Sequence, residues 1–315
     1  MSGEPPVVAP LRRLAIDRAR AGFLRACMLD VGVRKPGNVS RASPGHGMTA
    51  DLFVAAARAA CDPLFAPGAR VGERIEAAVA ASWAAAGCNT NLGIVLLCAP
   101  VARAVDLHSE ATGPQGLRTA IDAVLAALDL ADAQAAFRAI AQARPGGLGD
   151  APEQDVRGPA SVDLRAAMAL AAPRDSIARL YRDGYGALFD ALAALPGRGE
   201  LPDVADPGAV PDARTVALTQ RLFLALLAGA PDSHIVRKHG VATAQTVMAA
   251  AQHWARQAHA SHGVDADPAF AAWDASLKAQ RINPGTTADM TVAALLLAAL
   301  TGHRPGGGGA GWHGT

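Results

Sequence analysis

Apolar positions recur at helical spacing along nearly the whole chain, and strict apolar–polar alternation is scarce. The pattern predicts helices over about 10–31, 50–62, 72–86, 91–106, 114–128, 131–143, 162–171, 174–194, 212–229, 233–260, 267–280 and 286–302. Pro/Gly punctuation falls between them at LFAPGAR, ARPGGLG, LPGRGELPD and LAGAPD. Two stretches have no polar face at all: Leu92–Ala102 (LGIVLLCAPVA) and Val292–Leu300 (VAALLLAAL). A helix apolar on every side is surrounded by protein. The expectation is an all-α, single-domain multi-helix bundle around two fully apolar central helices. It spans 1–302, with 196–213 as a surface loop and 303–315 as a flexible, Gly-rich tail.

Composition narrows the class. The chain has 315 residues, 51% of them apolar and 75 of them alanine, so it can bury a large core. The formal charge of +1 argues against a nucleic-acid or membrane-surface partner as the default. No apolar run is long enough to span a bilayer, and the N-terminus lacks the basic-then-apolar order of a signal peptide, so a cytoplasmic protein is expected. Cys27, Cys61, Cys88 and Cys98 form no CxxC pair and read as reduced thiols.

Polar residues gather where the two apolar helices begin. Cys88-Asn89-Thr90-Asn91 precedes the first, and Asn283-Pro284-Gly285-Thr286-Thr287-Ala288-Asp289 opens the second. Free N–H groups and partial positive charge make such ends anion sites, while the same residue types also serve as ordinary caps. Asp289, a carboxylate at the start of an apolar rod, needs a cation or metal. Further Gly/Pro turns carry Lys35 and Asn38, then His46 and Asp51, with Asp155 following a third. In the segment 231–240, helical spacing sets His234 beside Arg237 and Lys238 on one face, either as an anion site or as a solvated surface. Of 29 basic residues only Lys35, Lys238 and Lys278 are lysines, and two of these lie in the turn motifs. No Walker-type loop, dinucleotide fingerprint or nucleophile elbow occurs. His253, His259 and His262 read as surface histidines.

Six ordered motifs carry a resemblance: KPGNVS (35–40), CNTNLGIVLLCAP (88–100), RPGGLG (144–149), RDSIARLY (174–181), PDSHIVRKHG (231–240) and NPGTTADMTVAALLL (283–297). Together they resemble the triphosphoribosyl-dephospho-CoA synthase family over about 12–302. The resemblance implies an all-helical catalytic domain that uses ATP with Mg²⁺ and transfers the ribose of ATP to an acceptor hydroxyl through an α-ribosidic bond. Family members serving carrier proteins usually show a Pro-Lys-Pro-Gly-Leu-Val-Asp turn, then Gly-Ser-His and Asp-Met-Asp. Here the turn is KPGNVS, His46 sits in Gly45-His46-Gly47, and Asp51 stands for the acidic pair. This wording is similar to a divergent branch linked to tetrahydromethanopterin and methanofuran one-carbon metabolism. The expected reaction is therefore ribosyl-phosphate transfer, from ATP or phosphoribosyl diphosphate, in assembly of that cofactor.

The expected partners are a nucleotide donor and an alcohol acceptor, with a homodimer left open. Phosphate contact falls to Lys35, Arg237 and Lys238, with Asn38, Asn89, Asn91 and Asn283 completing the donor site. Asp51, Asp155, Asp175 and Asp289 are the metal candidates, since Mg²⁺ prefers oxygen. Proton transfer falls to His46, His234 or His239, with Asp289 as a further catalytic group. Three rival readings stand beside this one: a true ATP:dephospho-CoA transferase for a carrier-protein prosthetic group, a metal-dependent hydrolase of ribosylated substrates, and a non-catalytic helical cofactor-binding protein.

Overall fold

A computed structural model describes residues 8–111, 113–146, 153–195, 210–260 and 263–302. The chain runs α1 (Val8–Gly32), α2 (Ala50–Leu64), α3 (Val71–Ala86), α4 (Leu92–Leu107), α5 (Gly113–Ala126), α6 (Leu130–Ala143) and α7 (Leu164–Ala171). It continues with α8 (Ser176–Asp183), α9 (Gly186–Ala193), α10 (Ala213–Gly229), α11 (Ser233–His239), α12 (Val241–Ala260), α13 (Pro268–Ala279) and α14 (Gly285–Thr301). Among the described residues no strand occurs, only the isolated bridges Ser40–Ser43 and Gly45–Met48 in one looped segment. The fold is all-α. No described helix is long and apolar enough to cross a membrane.

Two predicted helices are each split in two. The stretch 174–194 breaks at Gly184 and 233–260 breaks at Gly240, where φ is +81° and +84°. A side chain on either residue would be strained there, so these glycines turn the chain between consecutive helices. The helix–helix turn at Gly240 separates short α11 from long α12 and aims α11 inward.

The two apolar runs are buried, but neither helix is apolar throughout. In α4, Leu92–Ala102 is fully buried, and Arg103 and Asp106 follow in its last turns. In α14, Val292–Leu297 is buried, Ala298–Leu300 is partly exposed, and the first turns carry Thr286, Thr287, Asp289 and Thr291. A main core joins α1–α9 to the distal part of α14. A second cluster, built on Phe223, Ile235, Trp254 and Phe270 of α10–α13, includes Ala288 from the start of α14. Helix α14 thus crosses between the two clusters, and its first turns lie where they meet. Cys27, Cys61 and Cys98 are buried free thiols, and Cys88 is partly exposed.

Pro100 sits inside α4 and offers no N–H to the carbonyl four residues earlier. That carbonyl, Leu96 O, accepts instead from the Tyr181 hydroxyl at 2.6 Å, and Leu97 O accepts from Tyr185 at 2.7 Å. Both tyrosines are wholly buried, and they pin α8 and the start of α9 onto α4. The residues 147–149 of the RPGGLG motif, 196–209 of the predicted loop, His262 and the 303–315 tail lie outside the described residues. Tyr181→Phe leaves the Leu96 carbonyl buried and unpaired, so it should cost about 1–3 kcal/mol. Urea unfolding measures this, and a change below a few tenths would show that the hydroxyl is not needed to compensate Pro100.

Candidate active site

Six of the fourteen described helices begin with an aspartate whose side chain accepts from the first-turn N–H groups: Asp129, Asp163, Asp175, Asp212, Asp232 and Asp267. Helices α4 and α14 differ. Asn91 and Pro284, their N-cap residues, make no side-chain cap hydrogen bond. Partial substitutes come from elsewhere: Asn89 Oδ1 accepts from Leu92 N at 3.2 Å, and Asp232 Oδ2 accepts from Thr287 N at 2.7 Å. Asp232 also accepts from the Thr287 hydroxyl at 2.7 Å and from Ile235 N at 3.0 Å. Ser233 donates to Thr286 Oγ1 at 3.1 Å and accepts from Ser176 N at 3.2 Å. The starts of α8, α11 and α14 are therefore tied together.

A cavity of about 310 Å³ opens where these helices begin. Its wall includes residues 89–93 at the start of α4, Asp175 and Ile177 at α8, His234 and Arg237 of α11, and Gly285, Thr286 and Asp289 of α14. The wall also carries the apolar side chains of Phe137 and Ile140 from α6, Met168 from α7 and Leu96 from α4. Several helix starts directed at one cavity supply converging N–H dipoles, an arrangement suited to phosphate.

Four carboxylates line this cavity, and three have partners. Asp30 pairs with Lys35 at 3.0 Å, Asp155 with Arg157 at 2.5 Å, and Asp175 with Arg237 at 2.6 Å. Asp289 has neither a hydrogen bond nor an ion pair among the described residues. Burial, and then the charges of Asp30, Asp232 and Asp175, hold its carboxyl well above the usual range, against the pull of Arg237. A Cβ built on Gly93 would lie 2.0 Å from Asp289 Oδ2. Only glycine lets the carboxylate settle against the first turn of α4. Among the described residues no three or more His, Cys, Asp or Glu side chains are grouped to hold a metal by themselves. One unpaired carboxylate in a negative setting suits Mg²⁺, which keeps several waters and shares its shell with substrate phosphates.

The histidines separate by position. His234 faces the cavity, and its ring lies 3.5 Å from a Cβ built on Gly285. Burial first, then Lys238 and Arg237, hold its pKa down to about 4, so the imidazole is neutral and can accept a proton. His46 and His239 lie off the cavity wall, their Nε2 atoms bonded to the backbone carbonyls of Gly37 and Arg281 at 2.8 and 3.0 Å.

The donor-site candidates divide as well. Asn38, Asn89, Asn91, Asn283 and Arg237 line the cavity. Lys35 does not: it is wholly buried behind Asp30, bonded to that residue's carboxylate and backbone carbonyl. Lys238 is exposed and lies over Gly146, which is on the wall, with its Cε 3.2 Å from a Cβ built there. Asp51 is exposed beside Arg41 and away from the wall. Its separation from the other candidates follows from its place on the solvent face of α2.

Sequence reasoning missed Asp30 and Arg174. Asp30 falls in the helix before the KPGNVS turn, and no local signal separates it from a surface acid. Arg174, exposed at the rim, bonds only the Leu170 carbonyl at 3.4 Å and has no ion pair among the described residues. Its place beside Asp175 in RDSIARLY was the available clue.

Because the fold holds the Asp289 proton above its ordinary 3.8, ionising this group costs stability that grows as pH rises towards the raised value. Asp289→Asn should therefore melt above wild type near about pH 7.5, with the gain vanishing towards about pH 4. Calorimetry across that range measures it, and a variant that melts lower at neutral pH would contradict the assignment of strain to this carboxylate.

A search of curated protein sequences finds no match. A crystal structure from Archaeoglobus fulgidus, provisionally named triphosphoribosyl-dephospho-CoA synthase, matches in fold with a TM-score of 0.59 and 22% identity. The match covers 80% of this chain and 99% of that one. The profile of CitG, described as ATP:dephospho-CoA triphosphoribosyl transferase, matches residues 17–306. With a match of that extent, the chain belongs to the CitG, ATP:dephospho-CoA triphosphoribosyl transferase, family.

Proposed function

We propose that the protein is an Mg²⁺-dependent transferase that moves the triphosphorylated ribosyl group of ATP to an acceptor hydroxyl, forming an α-ribosidic bond. The observation that carries this reading is Asp289, an unpaired carboxylate in the same cavity as a neutral His234 and the converging starts of α4, α8 and α14. Among the four metal candidates, Asp289 has no partner among the described residues, and it would hold a magnesium ion that neutralises donor phosphate charge. Arg174 and Lys238 at the rim, with Arg237, supply further positive charge for the triphosphate. The apolar side chains of Phe137, Ile140, Met168 and Leu96 suit a planar base.

The acceptor oxygen attacks the anomeric carbon as the bond to adenine breaks. Its proton passes to His234 Nδ1 or Nε2, and the departing base takes the bonding electron pair and then this proton from His234, directly or through water. The bound triphosphate offsets Lys238 and Arg237, which raises the basicity of His234 when it is needed.

For the acceptor we propose an alcohol in assembly of a tetrahydromethanopterin-type one-carbon cofactor. Its support is the KPGNVS turn and the NTNLG and RKHG wording, which depart from the carrier-protein enzymes. The second reading is dephospho-CoA itself, favoured by the family description. A hydrolase would not require an acceptor alcohol, and a non-catalytic binder would release no adenine. Protein, ATP and Mg²⁺ are to be mixed with each acceptor and the products weighed by mass spectrometry. The expected result is adenine plus an acceptor heavier by one triphosphoribosyl group. His234→Gln should lower kcat by about 100-fold or more. Asp289→Asn should abolish turnover with helical content unchanged by circular dichroism. Adenine release without an acceptor, or wild-type rates in either variant, would contradict the reading.

A further inference from the structure

Four residues that line the cavity each carry a buried polar atom with no hydrogen-bond partner among the described residues: Asn38 Oδ1, Thr90 Oγ1, Asn91 Nδ2 and Arg237 Nε. Asn38, Thr90 and Asn91 are 5%, 8% and 5% exposed. Leaving such groups unpaired in a folded protein is costly, and a ligand that pairs them recovers that cost. The guanidinium nitrogen is a charged donor and suits phosphate. The other three are uncharged, and together they ask for both kinds of partner. Asn38 Oδ1 only accepts, because its amide nitrogen already donates to Asn283 Oδ1 at 3.0 Å. Asn91 Nδ2 only donates, and the Thr90 hydroxyl does either.

That inventory excludes the two charged ligands of the site as partners for the whole set. Phosphate oxygens accept, so they can pair Asn91 Nδ2 but not Asn38 Oδ1. A magnesium ion can take Asn38 Oδ1 but not an amide N–H. Hydroxyl groups donate and accept at once, and two neighbouring hydroxyls match an amide oxygen, an amide nitrogen and a threonine.

We propose that Asn38, Thr90 and Asn91 form a subsite for the vicinal 2′- and 3′-hydroxyls of the donor ribose, which narrows the role of Asn38 and Asn91 within the donor site to sugar recognition and rests on the reading of ATP as donor. Gripping the sugar by its diol fixes the ring while the bond at its anomeric carbon exchanges. Arg237 and the rim cations are left to the triphosphate.

The test is calorimetric titration of the full chain with ATP, 2′-deoxy-ATP and 3′-deoxy-ATP in Mg²⁺. Wild type should bind at least one deoxy analogue about tenfold more weakly than ATP. In Thr90→Val and Asn38→Leu that difference should fall to about twofold or less, and Thr90→Ser should restore it. Ligand-free Thr90→Val should melt no lower than wild type, since it removes a buried hydroxyl that has no partner, and this separates lost recognition from general damage. Equal binding of all three nucleotides by wild type, or discrimination that persists in both apolar variants, overturns the subsite. Discrimination with no adenine release in the presence of acceptors leaves the subsite standing and overturns the functional reading. Absence of ATP binding overturns both.

Discussion

The buried carboxylate of Asp232 holds the candidate site in register. It is 2% exposed, yet it is satisfied by Ile235 N in its own helix and by the amide and hydroxyl of Thr287 in α14. Burial pushes its pKa up, and these hydrogen bonds pull against that push. One side chain thus sets the start of α11 against the start of α14. Ser233 extends the tie to α8. His234 and Arg237 follow on one side of the junction and Asp289 on the other, so their shared cavity depends on this pairing.

A second constraint comes from α4. Gly93 leaves room for the Asp289 carboxylate, and Pro100 breaks the hydrogen-bond ladder one turn beyond the cavity wall, where Tyr181 and Tyr185 repair it. The tyrosines fasten α8 and α9 to α4, so Asp175, which caps α8, is brought to the cavity with its partner Arg237. The overall charge of +1 conceals this arrangement. Three of the four cavity carboxylates are balanced within the protein, and the fourth, Asp289, has no partner among the described residues. On the proposed function, few net charges are needed for an anionic substrate, because the helix starts and a bound metal ion would provide the positive potential.

Much of this was legible in the sequence. The all-helical class followed from apolar periodicity, and polar residues before two apolar runs marked the starts of α4 and α14 as the place to look. Asp289 stood out because a carboxylate heading a buried rod has few innocent explanations. Other residues are engaged by partners that the sequence pattern does not announce. Lys35 looked like a phosphate ligand, but its charge is spent on Asp30 behind the wall. His46 and His239 sit in motif-like turns, yet each is taken up by a backbone carbonyl. Asp232 read as one more N-cap, which it is for α11, and nothing local announced its second oxygen bonding α14. The glycine breaks at 184 and 240 were hidden because the flanking apolar pattern continues through them.

The central claim is that the fold keeps Asp289 without a partner so that binding of metal and nucleotide can supply one. Titration with MgATP at about pH 7, in buffers of different ionisation enthalpy, counts the protons exchanged on binding. The account predicts that wild type releases more protons than Asp289→Asn, because its raised pKa leaves this carboxyl more protonated than an ordinary aspartate before the metal binds. Equal proton counts in the two proteins, with binding intact in both, would contradict it.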